Sequence, residues 1–270
     1  MSGGFLDTTV VIHAVENSQP AKLNASKAIT ANPPAKVPYY AYRELLAGKV
    51  RILCEAHNKL HASANAGEAL LGLLSSSPAE GRKRESRIQA LAESFKEIFA
   101  ASPHGPRSDM KREMLQDLML RAAGLWRRSR SIPNVESVQT LACFNEGKLT
   151  YGAAGELRGP SDSFNCHPQE RCAAAAYLHD DKNALAAMID GLHPNNLSPA
   201  AAKKNENSQR RKALKALQTD GPLKFNKGMC RALGDAYFAG MCPAGHVVLT
   251  TNTVDFVPLC DAVGKAVAQV

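Results

Sequence analysis

GHVVLTTNTVDFVPL, Gly245–Leu259, is the stretch on which the reading of the whole chain turns. Its short apolar run, bounded by Gly245 and Asn252, has the length and composition of an interior strand in a parallel sheet. At and just past the exit of that strand stand Thr250, Thr251, Asn252 and Asp255. Ligands of open α/β sheets bind at the carboxyl ends of the strands. These polar side chains therefore mark the edge toward which other functional residues are expected to converge.

Three further acids fall at comparable positions. Asp235 opens the helix DAYFAGMCPAG, which leads into the strand, so its carboxylate sits at a helix N-terminus. GGFLD near the start reads as a strand closing on Asp7, with Thr8 or Thr9 capping the helix that follows. Glu44 lies in the first turns of the helical stretch after VPYY.

The remaining segments read as follows. Residues 17–38 carry Pro20, Pro33 and Pro34 and accommodate one helix and then a loop. YYAYRELLAGKVRILCEAHNKLHASA is helical, with Gly48 marking a break. SSSPAEG, Ser75–Gly81, is a linker. RKRESRIQALAESFKEIFAAS and DMKREMLQDLMLRAAGLWRRSR are amphipathic helices separated by SPHGP, Ser102–Pro106. Asn134–Gly159 resembles a hairpin. Pro168–Leu192 returns to helix, His193–Arg211 is a basic loop, and Met229–Val270 runs helix, strand, turn, helix. The expected fold is three-layer α/β/α with a central, mostly parallel sheet.

Bulk properties narrow the function classes. The chain has 270 residues, 44% of them hydrophobic, and no apolar run of the roughly 18 residues a membrane helix needs. MSGGFLD has neither the basic nor the long apolar region of an export signal. Seven scattered cysteines suit a reducing compartment rather than a disulfide framework. A cytoplasmic protein with no membrane partner is the expectation. The net charge of +8 is uneven. Glu80–Arg130 holds twelve basic and seven acidic residues, and Ala200–Lys227 eight and two. The remainder of the chain carries a net charge of −3, so a polyanion is the expected partner of these two basic stretches. Solvated helix faces are the plainer explanation of the same charge.

FLDTTVVI, VPYYAYRELLAG, GDAYFAG and GHVVLTTNTVDF, in that order, resemble the PIN-domain nucleases. The resemblance covers roughly the first 60 and last 45 residues, and its specificity lies in the ordered set. It implies a discontinuous PIN-like core, 1–60 and 222–270, around a mainly helical basic insertion, 61–221, part of which supplies the usual middle helices of the core. It implies that Asp7, Glu44 and Asp235 hold Mg²⁺ or Mn²⁺, with Asp255 ligating directly or through water. Thr250 and Asn252 would position water or phosphate at the catalytic site. It also implies divalent-metal-dependent hydrolysis of phosphodiester bonds, in RNA ahead of DNA, by an endoribonuclease. Such chemistry needs hard oxygen ligands and a cation to relieve clustered carboxylates. Arg82, Lys83, Arg84, Arg127, Arg128, Arg210, Arg211 and Lys212 are the candidates to hold the nucleic-acid backbone, a contact that confers affinity without sequence choice. A protein inhibitor or other partner, as the toxin members of the family have, and a homo-oligomer are compatible with this reading. Two departures stand out: the large insertion, and Asn252 where an Asp is common. Both suit the alternative, a catalytically decayed PIN-like nucleic-acid-binding or partner-docking protein.

Weaker signals compete. Cys54, His57 and His61 share one helix face at a spacing that suits zinc, as do Cys166, His167 and Cys172 more loosely, but no tight CxxC accompanies either set. A half-buried helix face is the simpler account. His179-Asp180-Asp181 offers extra acids, and Trp126 beside Arg127 and Arg128 offers a base-stacking surface. An exposed polar turn and a core anchor are their simpler accounts. No glycine-rich phosphate loop is present.

Overall fold

The computed structural model describes residues 2–16, 19–75, 81–100, 109–138, 149–159, 172–224 and 227–270, with the backbone alone at 82–83, 224 and 227–228. The elements in order are β1 (Gly3–Leu6), α1 (Thr8–Val15), α2 (Gln19–Ala31), β2 (Ala35–Pro38), α3 (Tyr39–Leu45), a π-helical stretch (Leu46–Val50) and α4 (Arg51–Ala62). Then come α5 (Ala66–Leu74), α6 (Gly81–Ala100), α7 (Met110–Ser129), β3 (Val135–Val138), β4 (Thr150–Tyr151) and β5 (Leu157–Arg158). The last part holds α8 (Ala173–Asp180), α9 (Lys182–Gly191), α10 (Pro199–Ala202), α11 (Asn205–Asp220), α12 (Lys227–Ala232), α13 (Gly234–Met241), β6 (His246–Thr250), α14 (Thr253–Ala262) and β7 (Ala266–Gln269). The protein is α/β. No helix among the described residues is long and apolar enough to cross a membrane.

Contacts divide the chain into two compact units. The first comprises Met1–Arg43, Ser131–Asn145 and Phe164–Val270. It carries a five-stranded, all-parallel sheet in the order β3-β2-β1-β6-β7. In the centre, Leu6 pairs with Leu249, so β1 and β6 end at the same edge. Both central strands are buried almost throughout, as expected of strands covered on two faces. The core beside them is aromatic: Phe238 meets Phe5, Tyr40 and Phe256 edge-on, with ring centroids 6.4, 5.5 and 6.1 Å apart. Each such ring contributes roughly 1.5–3 kcal/mol by leaving water.

The second unit, Glu44–Arg130 and Glu146–Ser163, is a helical assembly in which α4, α6 and α7 pack on one another. The short antiparallel β4–β5 pair is tied to α4 by Asn58. Its amide donates to Leu157 O (2.9 Å) and accepts from Leu157 N (2.7 Å), as a neighbouring strand would.

Several expectations change at this level. The unit boundary falls within α3, after Arg43, so residues 44–60 join the helical unit, while α8 to α11 join the sheet unit. β3 is an edge strand of the main sheet, and among the described residues of this stretch the antiparallel pair is Thr150–Tyr151 with Leu157–Arg158. The basic stretch 193–211 contains α10 and the start of α11, because Ser198 caps the first with Pro199 at its opening position. Gly48 does not break its helix; the chain widens to π-helical hydrogen bonding there and continues. The terminal segment ends in a strand, β7. Residues 76–80, 101–108, 139–148 and 160–171 lie outside the described residues, and with them much of the Ser75–Gly81 linker, most of the SPHGP break, part of the expected hairpin, and Cys166 and His167.

Candidate metal centre

Asp7 follows β1 directly and caps α1 itself, displacing Thr8 and Thr9 from that expected role. Its Oδ1 accepts from Thr8 N at 2.6 Å. Its Oδ2 accepts from the hydroxyls of Thr9 (2.7 Å) and Thr250 (2.8 Å). Thr250 Oγ1 accepts in turn from Asn252 N at 2.9 Å, and Thr251 N donates to Thr9 Oγ1 at 3.3 Å. The exits of β1 and β6 are thus laced together through side chains separated by over 240 positions. Burial raises the pKa of Asp7, and its hydrogen bonds from Thr9, Thr250 and the α1 amides oppose the rise.

Asp255 lies in the first turn of α14 and is buried. Its Oδ2 accepts from Asn252 Nδ2 at 2.5 Å and from Lys204 Nζ at 3.2 Å. Lys204 also donates to Asn252 Oδ1 at 3.1 Å. The carboxamide of Asn252 is thus used at both ends. It donates to one carboxylate oxygen and anchors a lysine, which an aspartate could only half perform. Asp255 Oδ1 is buried with no hydrogen-bond partner.

Asp235, in the first turn of α13, is half-buried and ion-paired with Arg210 of α11. Its pKa is pushed up to about 6, chiefly by burial and further by the charges of Asp7 and Asp255; Arg210 and Lys204 oppose the shift. Asp7, Asp235 and Asp255 thus form one electrostatic cluster at the carboxyl edge of the sheet. All six participants, with Lys204, Arg210 and Asn252, belong to the first unit.

No family model, curated protein or solved structure matches the chain. Only the chemistry of the cluster itself speaks to its use.

Glu44 follows Arg43 on α3 and belongs to the second unit. Among the described residues, no three His, Cys, Asp or Glu side chains gather closely enough to enclose a metal ion. Arg210 is the basic residue placed furthest from expectation. It is buried, turned to Asp235, and held by Asn207 Oδ1 at 2.5 Å rather than presented to a nucleic acid. Arg211 donates from Nε to Ile189 O at 3.1 Å, and Lys212 is exposed. On α7, Arg127 is exposed and Arg128 half-buried; on α6, Arg84 is half-buried, and Arg82 and Lys83 side chains lie outside the described residues.

The zinc alternatives gain no support of their own. His57 is buried, its pKa lowered by desolvation, and its Nδ1 meets Asn58 Oδ1 at 3.1 Å. Its ring lies parallel to His61, with centroids 6.2 Å apart. Asp181 caps α9 through Ala184 N at 3.0 Å, the structural duty of a helix-start aspartate. Trp126 carries the guanidinium of Arg130 over its ring at 5.6 Å. The residue that sequence reasoning missed is Lys204. Lys203-Lys204 reads only as part of a basic stretch, and nothing local tells it from its solvated neighbours.

Proposed function

We propose that this chain is a divalent-metal-dependent nuclease with a PIN-like core, hydrolysing phosphodiester bonds in RNA. One observation carries the reading: Asp7, Asp235 and Asp255 arrive from three separate elements at the exits of the two central strands, and the charges of Asp7 and Asp255 both raise the pKa of Asp235. Isolated helix caps would not share a field in this way. The sheet order, with its central pair β1 and β6, supports the same reading.

The donor set fits a hard cation. It consists of carboxylate, amide and hydroxyl oxygens, with Asp255 Oδ1 buried and unpartnered. Of Asp7, Asp235 and Asp255, one or two would ligate Mg²⁺ or Mn²⁺ directly and the rest through its retained waters, since these three side chains do not gather closely enough to enclose the ion. Glu44 is the fourth candidate by resemblance. A bound divalent ion would supply charge neutralisation at the phosphate oxygens and a more acidic water. The chain's own residues do the rest. Thr9 and Thr250 fix the orientation of Asp7, and Asn252 fixes that of Asp255.

The test is cleavage of a labelled RNA with Mn²⁺. Asp7→Asn or Asp235→Asn should lower the rate at least ~100-fold with the fold retained by circular dichroism. Full activity in both variants would overturn the proposal, and cleavage of DNA alone would change its substrate. Ion pairing of Asp235 and Asp255 to Arg210 and Lys204 favours a second reading, a catalytically decayed nucleic-acid-binding or partner-docking protein. Absence of Mn²⁺ binding in calorimetry, with RNA binding intact, would select it.

A further inference from the structure

The two cations that meet the carboxylates come from one segment, and they are held differently. Arg210 is 7% exposed and anchored twice over. It donates to Asn207 Oδ1, and Asn207 Nδ2 donates to Ala201 O at 3.0 Å. Packed on the inner face of α11, it is a fixed counter-ion. Lys204 is 35% exposed and precedes α11. Its ammonium donates to Asn252 Oδ1 at 3.1 Å and Asp255 Oδ2 at 3.2 Å. A flexible, part-solvated ammonium group at such distances exchanges with water readily.

Charge balance gives this difference a consequence. With both cations paired, three ionised carboxylates leave a formal charge of −1. Withdrawal of Lys204 leaves −2, which matches a divalent ion. It also relieves Oδ2 of Asp255 of one of its two donors, and Oδ1 already lacks a partner. Asn252 keeps its hold on Asp255 through Nδ2 throughout, so the carboxylate need not move when the lysine does.

We infer that Lys204 is an exchangeable internal cation that competes with a divalent metal ion for Asp255 and so sets the metal affinity of the centre. The inference rests on the reading of the cluster as a metal centre and adds its regulation. A site closed by its own lysine binds metal with an apparent affinity reduced by the fraction of time the lysine is away. Removing the charge should restore the intrinsic affinity, and preserving it should not.

Calorimetric titration of the full chain with Mn²⁺ tests this without reference to catalysis. Lys204→Gln should bind Mn²⁺ roughly tenfold more tightly than the unmodified protein, and Lys204→Arg should match the unmodified protein. In an Asp255→Asn background, Lys204→Gln should change the affinity less than about twofold, because the contested ligand is gone. Thermal melts of each variant verify that the fold is kept. Equal or weaker binding by Lys204→Gln overturns the competition while leaving the metal centre standing. No binding by either protein overturns the metal-centre reading and the competition together.

Discussion

Asp235 is held between opposing influences: burial and the charges of Asp7 and Asp255 favour its protonated form, and Arg210 favours its ionised form. The balance lands at about 6, above the ordinary carboxyl range. A folded-state value raised above the unfolded one means that the native state binds the proton more tightly. The stability contributed by Asp235 is therefore fully present below about pH 4 and is lost as the pH rises through about 6. Asp7, raised by burial, adds in the same sense. Carbon-detected NMR of the carboxyl groups should find an aspartate titrating near pH 6. In Arg210→Gln that midpoint should move upward, because the larger opposing charge has been removed. A midpoint that stays in place or falls would show that Arg210 does not act on Asp235 in solution.

At the scale of elements, close packing decides what short segments become. The end of α9 lies against α14, and Gly191 is there because nothing larger fits. A Cβ at 191 would fall 2.7 Å from the backbone oxygen of Pro258, inside contact distance. Backbone cannot swing aside as a side chain can, so Gly191→Ala should lower the unfolding free energy by about 1–3 kcal/mol. Urea denaturation measures it, with an unchanged m-value as the sign that the fold is the same. α14 matters beyond stability, since it carries Asp255; a shift at Gly191 should be felt at the cluster. The strand β6 and the helix after it are legible in the sequence because an apolar run meets Asn252 and Thr253 at a sharp change of pattern. β7 is not: four residues of half-exposed AVAQ carry no period of their own. The signal that precedes it is present, however. Gly264, at φ +65°, ends α14, and Lys265 N returns to Cys260 O at 2.8 Å, the glycine stop of a helix C-terminus. β2 hides for a different reason. Its residues follow two prolines, and only its parallel pairing with β1 and β3 makes them a strand.

Across the whole molecule, the sequence reveals the sign of the charge better than its distribution in space. Asp7, Asp235 and Asp255 can be picked out because each opens or closes an element at a strand exit. Lys204 and Arg210 cannot, since a basic run looks the same whether a residue faces solvent or a carboxylate 25 or 51 positions away. One inward-facing arginine leaves the excess positive charge on other residues, notably Arg127 and Arg128 in one unit and Arg211 and Lys212 in the other. If RNA is held through its phosphates, each phosphate interaction removed should shallow the salt dependence of binding by about 0.7 in log–log slope. Arg127→Gln with Arg128→Gln, and separately Arg211→Gln with Lys212→Gln, should each flatten the slope measured by fluorescence anisotropy between about 50 and 300 mM salt. The pair that flattens it more identifies the unit that carries the strand. Flattening by neither pair would mean that these charges serve solvation alone, and the polyanion would have to be held elsewhere. Arg210→Gln is the internal control. Buried against Asp235, it should leave the slope unchanged while shifting the carboxylate titration, which separates a cation that serves the cluster from cations that serve a ligand.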